Sequence, residues 1–218
     1  MARPRRDPIH PTLDLERALW AAGCRRVAGV DEVGIGPLAG PVLAAACILP
    51  PDCQPIPAVR DSKALSVATR QALVADIRAQ ALAIGIGAAS VREIEQLNIL
   101  RASRLAMRRA LARVGQHDHA LIDGRDFPAP WLGPHTAIVR GDASAYSIAC
   151  ASIVAKVTRD HLLALLAARH PEYGWAHNAG YPTREHLAAL EAHGITPHHR
   201  QTYRPVLLAL GGMLRVTD

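Results

Sequence analysis

Asp31 and Glu32 stand side by side inside the apolar stretch VAGVDEVGIGPLAGPVLAAACIL, which runs from Val27 to Leu49. Small and apolar residues precede them, as in a buried strand, and Gly34-Ile35-Gly36-Pro37 turns the chain before a second apolar run. Two carboxylates in a core strand are costly to bury unless positive charge meets them, and a divalent cation supplies it. Asp123 closes the run ALID, and Asp142 follows the run TAIV. Strand ends lying side by side can bring such acids to one point, where mutual repulsion raises their pKa values unless metal neutralises them. Two Mg²⁺ or Mn²⁺ ions in such a cluster can activate a water and stabilise the leaving oxygen of a phosphodiester. The glycines of the turn offer backbone N–H groups that can approach a phosphate with no side chain in the way. Any one of these acids alone reads as a cap or a surface charge; the Asp-Glu pair within an apolar strand is what sets the combination apart.

Neighbouring strand residues point to opposite faces, so Asp31 and Glu32 should not both aim side chains at one metal in regular geometry. The expectation is that Asp31 bridges the metals and Glu32 helps through a local kink, a water or its carbonyl. Asp160 competes with Asp142 for the last position. It lies about five helical turns beyond Asp142, roughly 27 Å along one straight helix, so both cannot serve one cluster. Asp142, next to a strand end, is preferred, and Asp160 is expected to pair with a neighbouring basic residue.

The elements that must position these groups are legible from periodicity. Leu13 to Ala22 has helical spacing and reads as a short helix at the sheet edge. The hairpin-like unit 27–49 follows, then a loop marked by Pro50, Pro51, Pro55 and Pro57. Ser66 is a plausible N-cap for a helix through about Leu82, and AIGIGAA, Ala83 to Ala89, reads as a third strand. Ser90 and Glu93 form a capping box for a short helix, and a longer helix covers Ile99 to Val114. Strands at Ala120–Asp123 and Thr136–Val139 precede a strongly apolar helix from about Ser144 to His170, ended by Pro171. A loop from Glu172 to Pro182 holds Tyr173, Trp175 and Tyr181, Glu185 to His193 is helical, 195–205 is irregular, and Val206 to Leu214 closes the chain as an apolar helix. Strands come first and helices cover them, which predicts an α/β fold with a mixed central sheet and added C-terminal helices.

The chain has 218 residues, half of them hydrophobic, and a formal net charge of +6. That is enough for one substantial domain over 1–218, with a basic leader at 1–9 expected to be disordered and a C-terminal helical part from about 160. The charge suits a polyanionic partner, although MARPRR accounts for part of it. No apolar run is long enough to span a bilayer and MARPRRDPIH lacks a signal-peptide core, so no membrane association and a cytoplasmic location are expected. Cys24, Cys47, Cys53 and Cys150 lack metal-site spacing, and Cys47 and Cys150 read as buried thiols.

Other side chains admit plainer readings. Arg101, Arg104 and Arg108 share one helix face, which more often is solvated than bound to nucleic acid. His198 and His199 lie adjacent in an irregular tail and are expected to be exposed. On their own terms Tyr181 is a loop aromatic packing on Trp175, and Lys63 a helix cap or a solvated lysine.

Taken together, DEVGIGPLAGPV, DSKALS, NILRASRLAMRRAL, LIDG, RGDASAYSIACASIVAKVTRD, AGYPTREH and TPHHRQTYRPV resemble bacterial ribonuclease HII, collinearly from about residue 27 to 206. The resemblance implies an RNase H-like fold and endonucleolytic cleavage of RNA in RNA–DNA hybrids, 5′ of a ribonucleotide embedded in duplex DNA. It implies products with 3′-hydroxyl and 5′-phosphate ends, a nucleic-acid partner, two Mn²⁺ or Mg²⁺ ions with substrate bound, and a monomer. The family's four acids fall on Asp31, Glu32, Asp123 and Asp142, as catalytic and metal-binding residues. Its substrate-binding turn falls on Gly34, Ile35 and Gly36, its Asp-Ser-Lys lysine on Lys63, and its junction-reading tyrosine on Tyr181. Ribonuclease HIII is a relative with an extra N-terminal domain, for which the short leader leaves no room.

The departures are as informative. The family's Gly-Arg-Gly is Gly34-Ile35-Gly36, and Ala64, Ser144 and Ala179 replace lysines of the family pattern. Several phosphate-facing cations are absent together while all four acids remain. Backbone N–H groups of the turn can still read a 2′-hydroxyl. An active enzyme with weaker, less salt-sensitive binding is therefore favoured over a weak or inactive hybrid-binding module with relaxed junction recognition.

Overall fold

The computed structural model describes residues 10–59, 66–127 and 129–215. Helix α1 (Asp14–Ala21) leads into the hairpin of β1 (Val27–Val33) and β2 (Val42–Ile48). Helix α2 (Val67–Gln80), strand β3 (Ala83–Ala89), and helices α3 (Val91–Leu97) and α4 (Ile99–Val114) follow. Strands β4 (His119–Asp123) and β5 (His135–Ile138) precede the long helix α5 (Tyr146–Ala167). The C-terminal part contains α6 (Trp175–Asn178), α7 (Arg184–His193) and α8 (Arg204–Arg215). The five strands form one mixed sheet in the order β3-β2-β1-β4-β5, antiparallel on the β2–β3 side and parallel from β1 through β4 to β5.

The two faces follow from strand alternation. Ala28, Val30, Ala44 and Ala46 pack on α4, while Ala45 and Cys47 face α5. Close approach replaces bulk at three glycines. A Cβ at Gly85 or Gly87 would lie 2.1 Å from a carbonyl of α4, and one at Gly29 would lie 2.2 Å from the Ser147 backbone of α5. Contact at Gly29 sets the height of α5 over β1. From Ser147 to Ser152 the helix advances about 7.5 Å, and from Gly29 to Asp31 the strand advances about 6.6 Å, so Ser152 comes to stand over Asp31.

The strands and helices fall where the sequence predicts them, with shifts of up to three residues at the ends, the largest at the C-terminus of α5. Ser66 caps α2, and Ser90 with Glu93 forms a complete capping box on α3. Three expectations need correction. The helix α1 packs with Leu19 and Trp20 over Val27, Leu121 and Ile148, beside the start of α5 and not at an outer strand. The segment 172–182 contains a 3₁₀ turn, Pro171–Tyr173, and helix α6, because Tyr173 and Trp175 are buried and stack on each other with centroids 5.1 Å apart. His199 is fully buried and His198 half-buried, since residues 198–200 pair backbone to backbone with 38–40. Residue 160 lies inside α5, so the C-terminal part shares that helix with the sheet. Cys47, Cys53 and Cys150 are buried thiols and Cys24 is half-buried. The leader 1–9 and the Asp61-Ser62-Lys63 segment lie outside the described residues. No helix among the described residues is long and apolar enough to cross a membrane.

Candidate active site

β1 and β4 run parallel with Val30 beside Ile122, which carries Asp31 and Asp123 to the same end of the sheet. Asp123 in turn pairs with Ile138 at the end of β5. The chain then crosses Arg140 in a left-handed conformation and enters a 3₁₀ turn, Gly141–Ala143, which places Asp142 ahead of α5. The Gly141 amide donates to Oδ1 of Asp123 over 2.6 Å. Adjacent strand ends thus bring the acids of three separate sequence segments toward one another, Glu32 following directly on Asp31.

Asp31 is the hub. It is 6% exposed, accepts from the Glu32 amide over 2.8 Å, and takes a hydrogen bond from the Ser152 hydroxyl. Burial, then Glu32 and Asp123, and to a smaller extent Asp142, hold its carboxyl well above the usual carboxylate range, against the pull of Ser152. Asp142 is buried in the turn behind. Among the described residues no three His, Cys, Asp or Glu side chains are drawn into a metal-holding group. The donor set nevertheless fits a divalent ion: it is all oxygen, which suits Mg²⁺ or Mn²⁺, and its own repulsion is what a cation relieves.

A cleft of about 470 Å³ opens over this point, lined by Asp31, Glu32 and Asp123 together with the glycine turn and Tyr181. Asp31 and Glu32 do leave β1 on opposite faces, yet both reach the cleft because the strand ends at Val33 and Gly34 turns with φ +96°. Asp142 is not among its lining residues. Tyr181 is 44% exposed and its ring lies against Gly36, where a Cβ would stand 3.4 Å from the ring. It does not pack on Trp175, which stacks on Tyr173. Ile35 is half-exposed on the cleft wall, so no guanidinium stands at that position.

Four cations at the cleft or beneath its turn escaped the sequence reading. Arg70 and Lys156 line the cleft, and Asp160 holds both: Lys156 Nζ lies 2.7 Å and Arg70 3.7 Å from its carboxylate. Asp160 is therefore a partner of cations, as its distance from Asp142 implied. Arg159 and Arg200 are fully buried beneath the glycine turn. Arg159 donates to the carbonyls of Ala39, Pro41 and Ala179, and Arg200 to those of Gly34, Ile35 and Gly40. A side chain at Gly34 would meet Arg159 at 2.3 Å, so the turn is moulded on that guanidinium. Burial, then Arg200 nearby, pushes Arg159 down to about 10, which still leaves it charged at neutral pH. The only sequence signal for these residues was their charge inside otherwise apolar or irregular segments.

The family model for ribonuclease HII matches residues 28–206. The chain belongs to the ribonuclease HII family. It is 56% identical over 197 residues to the ribonuclease HII of Thermosynechococcus vestitus, covering 90% of this chain and 92% of that one. It is 52% identical to that of Ruegeria pomeroyi, covering 92% and 86%. Among solved structures, the ribonuclease H2 of Pyrococcus horikoshii superposes with TM-score 0.72 at 23% identity, over 87% of this chain and 99% of that chain. Bst-RNase HIII in complex with Mn²⁺ gives TM-score 0.64 at 15% identity, over 87% and 70%. These structures share the RNase H-like fold. As a ribonuclease HII, the chain is a metal-dependent endoribonuclease acting on RNA–DNA hybrids.

Proposed function

We propose that this ribonuclease HII cleaves 5′ of a ribonucleotide embedded in duplex DNA, as well as within RNA–DNA hybrids, leaving 3′-hydroxyl and 5′-phosphate ends. The observation that carries the reading is one cleft whose wall joins Asp31, Glu32 and Asp123 to the glycine turn and the exposed ring of Tyr181. Asp31, Glu32, Asp123 and Asp142 would hold two divalent ions, Mg²⁺ or Mn²⁺. When bound, such ions polarise the scissile phosphate and lower the pKa of the attacking water.

The chain's own residues do the rest. Ser152 and the Glu32 amide orient Asp31, and the Gly141 amide orients Asp123. Backbone N–H groups of Gly34, Ile35 and Gly36 read the 2′-hydroxyl, held in place by Arg200 from below. Tyr181 packs its ring on the deoxyribose that follows the ribonucleotide, a contact that separates a junction from uniform RNA. Lys156, Arg70 and Lys63 meet phosphates. We take the working unit to be a monomer.

The test is cleavage of a duplex carrying one ribonucleotide, in Mg²⁺ or Mn²⁺, beside Asp31→Asn. A cut on the 5′ side that the variant lacks supports the reading. Binding without cutting in either metal would instead favour the hybrid-binding module.

A further inference from the structure

A buried relay of hydrogen bonds runs from the C-terminal segment to the backbone of Tyr181. The Thr196 amide donates to Nδ1 of His199 over 2.9 Å. A backbone N–H only donates, so that nitrogen carries the lone pair and the proton of His199 sits on Nε2. Nε2 of His199 lies 3.0 Å from Nε2 of His186. On the far side of its ring, Nδ1 of His186 lies 2.9 Å from the Tyr181 carbonyl. A carbonyl only accepts, so Nδ1 of His186 carries the proton and its Nε2 accepts, from His199 and from the Trp175 indole at 3.1 Å.

Both tautomers are thereby dictated, and both rings are neutral. His186 and His199 are each 0% exposed. A second proton on His186 would face the N–H groups of His199 and Trp175, and one on His199 would face the Thr196 amide. The surroundings agree. Burial, then His186, His170 and His198, pushes His199 down to about 3. Burial also lowers His186, against the Tyr181 and Gly180 carbonyls and Glu185. The rings of Tyr173 and Trp175 close the cluster.

An apolar pair would fill this space without directing anything. Here the relay is directional and ends on the backbone of the residue whose ring reaches the cleft. Its other end adjoins Arg200, which holds the Gly34 and Ile35 carbonyls at 2.6 and 3.0 Å. One segment, residues 196–200, thus braces both the glycine turn and Tyr181.

We propose that His186 is a positioning residue for junction recognition: the neutral His199–His186 pair fixes the Tyr181 backbone so that its ring stands at a set height opposite the glycine turn. This rests on the reading of Tyr181 as the ring that packs on the sugar.

The test uses the full chain and a duplex with one ribonucleotide. His186→Leu should raise KM about ten-fold, several times more than it lowers kcat. His186→Asn, whose amide nitrogen takes the place of Nδ1, should recover most of that loss. In a Tyr181→Ala background His186→Leu should add less than two-fold. A folded His186→Leu with KM within two-fold of the parent, while Tyr181→Ala raises it, would overturn the inference and leave the Tyr181 reading standing. Multiplying effects in the double variant would also overturn it. No effect of Tyr181→Ala alone would overturn both. Should His186→Leu fail to fold, ¹⁵N-histidine spectra of the parent protein decide. His186 must show the Nδ1–H tautomer and His199 the Nε2–H tautomer from pH 8 to pH 5, and titration of either ring in that range rejects the relay.

Discussion

Oδ1 of Asp123 accepts the Gly141 amide over 2.6 Å, so the acid that ends β4 is fastened to the residue just before Asp142. A single turn thus holds two acids from different segments. Asp31, one strand over, is coupled to both through charge.

That charge crowding makes the sign of one substitution informative. Asp31→Asn removes a buried negative charge from beside Glu32, Asp123 and Asp142. Cleavage should fall by at least a thousand-fold, while the metal-free protein melts a few degrees higher; about 1 kcal/mol corresponds to roughly 2–4 °C at this size. Differential scanning calorimetry in chelator and a cleavage assay check the two halves.

Divalent ions should stabilise the parent protein and not the variant. Binding to the native state alone raises stability by about 2.7 kcal/mol at a hundred-fold excess over Kd. Melting with increasing Mn²⁺ should show the parent rising with concentration and Asp31→Asn staying flat. Parallel curves would place the ions elsewhere.

Ile35→Arg should restore a cation to the cleft wall without touching the turn, whose Ile35 carbonyl is already held by Arg200 and Tyr203. Substrate Kd should tighten several-fold, and the slope of log K against log salt should steepen by about one. An unchanged slope would mean that this position meets no phosphate.

Asp160→Ala should release Lys156 and Arg70 from their shared carboxylate. With both cations no longer held toward the cleft, kcat/KM should drop about ten-fold, or 1.4 kcal/mol in transition-state terms, chiefly through KM. A steady-state comparison at two salt concentrations distinguishes this from a loss of fold.

Acid should weaken the protein in two stages. Burial, then the neighbouring histidines, push His199 down to about 3, below the ordinary 6.5, so the unfolded chain takes up its proton first as pH falls. The stability it contributes is present above about pH 6.5 and is lost progressively toward pH 3. Glu93, held down to about 2 by Arg109, keeps its contribution above its ordinary 4.5 and loses it as pH falls toward 2. Urea unfolding between pH 7.5 and 4 should show the first stage, and His199→Gln should flatten it.

Much of this molecule is local and was therefore legible. A capping box, a glycine after a strand and an apolar run of seven residues each act through near neighbours, so β3, α3 and α4 could be placed from their own residues. The four acids were legible for another reason: a carboxylate within an apolar run has no local explanation. What escaped was long-range. His199 reads as a tail residue until residues 198–200 pair with 38–40, and that pairing spans most of the chain. Arg159 and Arg200 went unread because they are satisfied by backbone carbonyls, which every residue carries and no sequence pattern reveals. The sequence by itself determined the family, the acids set within apolar runs and the strands that present them. Only the tertiary structure decided which buried cations and neutral histidines hold those strand ends in place, because their partners are peptide groups brought close by folding.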